Sequence, residues 1–219
     1  MRDYKIILFD LDGTLSDPKI GITKSVQYAL GKMGVIEPNL DKLEPFIGPP
    51  LQESFSTIYQ FTNEQVSEAI KFYRERFVEK GMFENEMYSN IPELLKELKG
   101  NGYELVVATS KPTVFAEQIL KYFEIEAFFS LVVGSNLDGT RIAKGEIIQY
   151  ILDQYPEFVK DNFIMIGDRK HDMIGANQVG IDCIGVTYGY GSEEELTRAS
   201  STFIVHNELD ILNVVNKHY

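Results

Sequence analysis

A small set of polar residues in this chain has the types and spacing to do chemistry together. Asp10 and Asp12, one residue apart, follow directly on the apolar run Ile6-Ile7-Leu8-Phe9. Thr109 and Ser110 close a second extended stretch, Tyr103–Ala108. Lys144 opens a helical pattern, and Asp168 and Asp172 stand in Gly167-Asp168-Arg169-Lys170-His171-Asp172 after Phe163-Ile164-Met165-Ile166. Several carboxylates in one pocket repel, and some take up protons unless they are compensated. Mg²⁺ is the economical compensation: it prefers hard oxygens, takes one or two carboxylates, and keeps waters and a phosphate. Lys144 adds a second positive charge. Thr109 and Ser110 add hydroxyl and backbone donors near a helix start, which suit phosphate oxygens. The set fits phosphoryl transfer, where positioning and charge neutralisation do most of the catalysis.

The elements that must bring these residues together read as strands alternating with helices. An unbroken apolar run such as Ile6–Phe9 is the pattern of a strand buried on both faces. Asp10 then falls at the strand's carboxyl end, where open parallel sheets place their ligands, and Gly13 allows a sharp turn after Asp12. The alternative, an Asp-Gly hairpin turn, needs a second extended run at once, and Leu15-Ser16-Asp17-Pro18-Lys19 is not one. From Ile91 the chain predicts a helix to about Gly100, the strand 103–108, and a helix with Pro112 in its first turn running to about Phe123. There follow a short strand 131–133, a helix 143–154, the strand 163–166 and a helix 172–179 closed by Gly180. A strand 182–186, a weaker strand 202–205 and a helix 208–216 complete it. This is an α/β pattern, a doubly wound parallel sheet with a Rossmann-like core.

Between the first two strands lies a different kind of segment. Ile22, Val26, Ala29, Leu30 and Met33 recur at helical spacing up to Gly34. Leu51–Tyr59 reads as a short helix, and Thr62 or Asn63 can cap a longer one to about Lys80. No strand is expected in Ile20–Gly81. The expected organisation is a core of 1–17 and 88–219 with an inserted all-helical domain, 18–87.

Composition narrows the partners. A formal net charge of −12 disfavours binding to a nucleic acid polymer or an anionic membrane surface. A hydrophobic fraction of 44% is that of an ordinary globular chain. No stretch approaches the roughly twenty apolar residues of a membrane span. The lone Cys183 excludes an internal disulfide and reads as a small buried side chain. Met1-Arg2-Asp3-Tyr4 leads straight into the first strand with no room for a signal peptide, so the expected location is cytoplasmic. The oligomeric state, monomer or dimer, is not legible.

Asp10-Leu11-Asp12-Gly13-Thr14-Leu15, Thr109-Ser110-Lys111, Lys144 and Gly167-Asp168 through Asp172 resemble the four ordered motifs of the haloacid dehalogenase-like hydrolase superfamily. The resemblance covers essentially the whole chain, and the helical insertion is similar to that superfamily's alpha-helical cap. Ile47-Gly48-Pro49-Pro50-Leu51 and Asp138-Gly139-Thr140-Arg141 resemble the phosphoglycolate phosphatase-like branch and, more narrowly, bacterial members described as 5'-nucleotidases. The resemblance implies a Mg²⁺-dependent phosphatase acting on a small phosphomonoester, with Asp10 as nucleophile forming an aspartyl-phosphate. Asp12 would protonate the leaving oxygen and then activate water. Asp10, Asp168 and the backbone carbonyl of Asp12 would hold Mg²⁺, with Asp172 direct or one shell out. Thr109, Ser110 and Lys144 would hold phosphoryl oxygens, and Gly48, Pro49, Pro50 and Arg141 would contribute to specificity.

Each assignment has a plainer rival. Thr109 could cap the helix at Pro112, and Asp172 could be a first-turn residue favoured by the helix dipole. Lys111 and Arg141 compete with Lys144, and Pro49-Pro50 could simply start the Leu51 helix. His171 reads as exposed or structural, His206 and His218 carry no partner signal, and Tyr188-Gly189-Tyr190-Gly191 reads as a flexible turn near the site. At the level of function the rivals are a sugar-phosphate mutase, a phospho-Asp signalling receiver, a dehalogenase and a non-catalytic binding protein. Asp12 and the insertion argue against a receiver, and Asp12 against a dehalogenase.

Overall fold

A computed structural model describes residues 3–216 of the chain. Met1 and Arg2, invoked at the chain start, and His218 lie outside the described residues. The chain divides into two compact units, Met1–Ser16 with Met87–Tyr219, and Asp17–Glu86.

The first unit is built on β1 (Ile6–Phe9), all four of whose side chains are fully buried. Burying each of them contributes about 1.5–3 kcal/mol relative to exposure, which fixes the strand at the centre of the sheet. Six strands lie in the order β5 (Leu131–Ser135), β4 (Glu104–Pro112), β1, β6 (Phe163–Gly167), β7 (Asp182–Val186), β8 (Phe203–Val205). Every neighbouring pair is parallel. The order reverses at β1, between β4 and β6, which is where a doubly wound sheet opens a crevice for a ligand. The connecting helices are α4 (Ile91–Gly100), α5 (Thr113–Tyr122), α6 (Lys144–Asp153), α7 (Lys170–Val179), α8 (Glu193–Arg198) and α9 (Asp210–Val215). One apolar cluster joins Ile6 and Leu8 with Val106, Ile147, Ile148, Met165, Met173, Ala176 and Cys183. It locks α6 and α7 to the strands whose ends carry the polar residues.

The second unit holds α1 (Lys19–Lys32), α2 (Leu51–Tyr59) and α3 (Asn63–Glu79). Thr62 caps α3 through a reciprocal pair: its hydroxyl accepts from the Gln65 amide at 3.4 Å, and its own amide donates to Gln65 Oε1 at 2.9 Å. Phe46 and Phe55 meet edge to face at 4.9 Å, and both are buried. Two-residue strands, β2 (Ser16–Asp17) and β3 (Glu86–Met87), pair where the chain passes from one unit to the other.

Several boundaries differ from the sequence reading for local reasons. β4 runs on past Ala108 to Pro112 through a register shift, so Thr109 and Ser110 lie in an irregular strand end, not after it. Pro112 has extended geometry (ψ 133°) and precedes the helix instead of entering its first turn. Leu40–Phe46 forms a 3₁₀ helix, with Asn39 Oδ1 accepting from the Asp41 amide at 2.9 Å. Its Pro45 and its short period hide it from an α-helical pattern.

Candidate active site

The site is assembled from the carboxyl ends of β1, β4 and β6 and the starts of α6 and α7. The Asp10 amide donates to Ile166 O at 2.9 Å, so Asp10 extends the β1–β6 ladder by one step. Its side chain is buried. The chain then turns over Leu11, whose carbonyl accepts from the Leu15 and Ser16 amides at 2.9 and 3.1 Å. Gly13 makes the turn with φ +83°, and a Cβ there would sit 2.2 Å from Asp168 Oδ2. Only glycine satisfies both the backbone angle and the space.

Lys144, the first residue of α6, is 6% exposed. Its ammonium lies 2.9 Å from Asp10 Oδ1 and 2.7 Å from Asp172 Oδ1, and donates to Ala108 O at 2.9 Å. Three oxygens thus meet the three hydrogens of the group. Burial opposes its charge, but the Asp10 and Asp172 carboxylates outweigh that and hold it protonated well above the usual lysine range. Lys144 is therefore not a solvated surface lysine. Carboxylate oxygens of Asp10, Asp168 and Asp172 lie within 4.8 Å of one another, all buried.

The carboxylates differ in how they are held. Asp168 Oδ2 accepts from the Tyr190 amide at 2.7 Å, while its Oδ1 is buried with no hydrogen-bond partner among the described residues. Burial drives its pKa well up, and Asp172 and Asp10 add to the rise. Asp172 Oδ2 accepts from the Arg169 amide at 3.1 Å at the start of α7, so the residue caps its helix and also faces Lys144. Burial pushes Asp172 up, Lys144 pulls it back, and the outcome is about 6. Asp12 pairs with Lys111, Oδ2 to Nζ 2.8 Å, both side chains being buried. Burial raises its pKa and the Lys111 charge only partly offsets this. Asp12 is thus biased towards carrying a proton.

Thr109 is buried, and its hydroxyl accepts from the Lys111 amide at 3.3 Å; the helix at Thr113 does not use it as a cap. Ser110 stands next to it, with its carbonyl accepting from the Ser135 hydroxyl at 2.8 Å. Arg141 is not brought to the carboxylates. Its guanidinium donates to Gly134 O at 3.0 Å and Asn136 Oδ1 at 3.1 Å and lies 4.5 Å from the centre of the Tyr150 ring. These contacts tie down its own loop, so it does not compete for the place of Lys144. Gly48, Pro49 and Pro50 belong to the second unit, where Pro50 directly precedes α2.

Sequence reasoning weighed Lys111 only as a rival to Lys144, and its pairing with Asp12 was not foreseen. The turn Tyr188–Gly191, read as a flexible turn near the site, lies at the site and packs on Asp168. Its contribution is a backbone N–H, which residue type does not reveal; the two glycines were the available signal. His171 is half-buried beside Asp172 and outside the carboxylate cluster. His206 has a partner, its Nδ1 lying 2.9 Å from Thr187 Oγ1. Cys183 is free and fully buried, and burial pushes its thiol pKa up, so it is inert.

The donor set suits a hard divalent cation. Close-set buried carboxylates, with Asp168 and Asp172 raised by burial and by repulsion and one orphaned oxygen on Asp168, gain from a positive charge of oxygen-seeking character. These residues form a cluster that could bind such a metal.

An open parallel sheet with acidic residues and a buried lysine at its switch point is an arrangement suited to phosphoryl transfer in the α/β class. The pattern of the haloacid dehalogenase-like hydrolases matches residues 7–186. A 5'-nucleotidase of Pseudomonas aeruginosa is 47% identical over 100% of both chains. The tyrosine-protein kinase PtkA of Mycobacterium tuberculosis is 35% identical over 92% of this chain and 68% of its own. A crystal structure of a predicted phosphatase from Clostridium acetobutylicum superposes with a TM-score of 0.95 at 46% identity, covering 97% of this chain and 98% of that one. The chain belongs to the haloacid dehalogenase-like hydrolases and within them is a phosphatase, a hydrolase of phosphomonoesters. Among the described residues no helix is long and apolar enough to cross a membrane.

Proposed function

We propose that the enzyme is a Mg²⁺-dependent phosphatase that hydrolyses a small phosphomonoester through an aspartyl-phosphate on Asp10. The observation that carries this reading is the buried trio Asp10, Asp168 and Asp172 at the switch point, with Lys144 paired to Asp10 and Asp172. Asp10, Asp168 and the Asp12 carbonyl would hold Mg²⁺, with Asp172 beside them. When bound, the ion supplies positive charge to the phosphoryl oxygens. Asp10 attacks phosphorus, and the bond to the leaving oxygen breaks. Asp12, biased towards its protonated form by burial, gives its proton to that oxygen. The same carboxylate then takes a proton from the water that cleaves the acyl phosphate, returning Asp10 and releasing phosphate. Lys144 holds Asp10 in place and, with Thr109 and Ser110, meets the phosphoryl oxygens.

The motif residues handle a phosphoryl group common to all substrates, so selection among them falls to the inserted unit, chiefly Gly48, Pro49 and Pro50. The 47% identical 5'-nucleotidase favours a nucleoside 5'-monophosphate over a phosphoglycolate-like ester. The test is steady-state hydrolysis of a panel of both classes with and without Mg²⁺, in the wild type and in Asp10→Asn. Turnover that survives in the purified, folded Asn variant refutes the Asp10 nucleophile.

A further inference from the structure

The turn after β7 makes more contacts with Asp168 than reversing the chain requires. A Cβ on Gly189 would fall 2.3 Å from Gly13 O, 2.5 Å from Asp168 Cβ and 2.6 Å from Asp168 Oδ2. A Cβ on Gly191 would fall 1.8 Å from Asp168 O. Neither glycine is among those with positive φ, so what each provides is space, not an unusual backbone angle. Between them the Tyr190 amide donates to Asp168 Oδ2 at 2.7 Å. The turn is itself anchored at its start. The Thr187 amide donates to Val205 O at 3.0 Å, and the Tyr188 hydroxyl donates to Thr14 O at 3.0 Å in the loop that follows the nucleophile. The Tyr188 ring also meets Tyr88 edge to face at 5.1 Å. Gly13 approaches the same carboxylate, so Asp168 is met by bare backbone from two loops.

We propose that Gly189-Tyr190-Gly191 is a backbone clamp on Asp168 that sets the enzyme's affinity for its divalent cation. The inference rests on the Mg²⁺-dependent reading above. The clamp occupies Oδ2 with a protein N–H and leaves Oδ1, which has no hydrogen-bond partner among the described residues, as the oxygen for the ion. A carboxylate so held cannot rotate to offer the wrong oxygen, and the N–H favours its charged form. The three residues are positioning residues: they act on the ion only through Asp168.

The experiment is calorimetric titration of Mg²⁺ into metal-free wild type, Asp168→Asn, Gly189→Ala and Tyr188→Phe, with the melting temperature of each metal-free protein recorded. Removing a group that orients a ligand costs about 10–100-fold in metal affinity, and Gly189→Ala is expected to weaken Mg²⁺ binding by that factor. Its rate should recover at high Mg²⁺, so that the concentration for half-maximal rate moves while kcat returns towards wild type. A general packing defect would not recover in that way. If Gly189→Ala does not fold, Tyr188→Phe carries the test, since it keeps the ring and removes only the hydroxyl that ties the turn to Thr14; Mg²⁺ affinity several-fold weaker than wild type is expected. Wild type and Asp168→Asn both failing to bind Mg²⁺ would overturn the metal-dependent reading and the clamp together. Tight binding by wild type, lost in Asp168→Asn and unchanged in a folded Gly189→Ala or Tyr188→Phe, would overturn the clamp alone.

Discussion

Replacing Asp172 with Asn tests the electrostatic account of the site most directly. The Asp172 pKa is about 6 against an ordinary 3.8, a rise of about two units at about 1.4 kcal/mol each. A carboxyl raised in the folded state contributes stability that is fully present below its unfolded value and is lost as pH rises through its folded value. In the metal-free protein Asp172 therefore costs roughly 3 kcal/mol of stability between about pH 4 and pH 7. Other carboxyls, such as Glu84 and Glu195, are lowered and act with the opposite sign, so the raw pH profile mixes the two. The difference between wild type and Asp172→Asn cancels them. The Asn side chain can still accept from the Arg169 amide, and Lys144 keeps Asp10 and Ala108 O as partners. Urea unfolding followed by circular dichroism, in chelator at several values from pH 4 to 7, should show the wild type losing about 3 kcal/mol relative to the variant across that range. Removing the Asp172 charge also relieves Asp168, which moves the difference the same way. Saturating Mg²⁺ should flatten the difference in slope. Curves that stay parallel in chelator from pH 4 to 7 would refute the claim that these carboxylates repel in a dry pocket.

Two further substitutions address the chemistry and the choice of substrate. Asp12→Asn should slow turnover by about 10²–10⁴-fold, with a smaller loss on aryl phosphates than on alkyl phosphates because a good leaving group needs less protonation; an equal loss on both would reduce Asp12 to a turn residue. Replacing Pro49 and Pro50 together with Ala should alter the ranking of nucleoside monophosphates, phosphoglycolate and sugar phosphates by kcat/KM while p-nitrophenyl phosphate turnover survives in part, whereas an unchanged ranking at wild-type efficiency would remove specificity from that loop.

The sheet was legible because burial on both faces leaves a plain mark: Ile6–Phe9, Phe163–Ile166 and Asp182–Val186 are unbroken apolar runs or nearly so, and all three are strands. The acidic residues were legible because each follows such a run. What escaped depends on groups that every residue carries. The continuation of β4 through Thr109 to Pro112 is a matter of backbone pairing across a register shift, and its polar side chains read as a loop. The short helix Glu193–Arg198 buries only Leu196 and so shows no periodicity. The close fit around Asp168 comes from an amide and three missing Cβ atoms, those of Gly13, Gly189 and Gly191. Lys111 and Arg141 were interchangeable as charges on paper; the fold separates them, giving one to Asp12 and the other to Tyr150.

Lys144 also has a meaning for how the enzyme comes into being. Its ammonium joins Asp10 just past β1, Ala108 in β4 and Asp172 in α7, and the Ala108 carbonyl alone is 36 residues distant. During synthesis Asp10 is made well before α6 brings Lys144 and before α7 brings Asp172. In that interval the chain carries Asp10 without its charge partners, and the buried cluster is complete only once β6 and the start of α7 have been added.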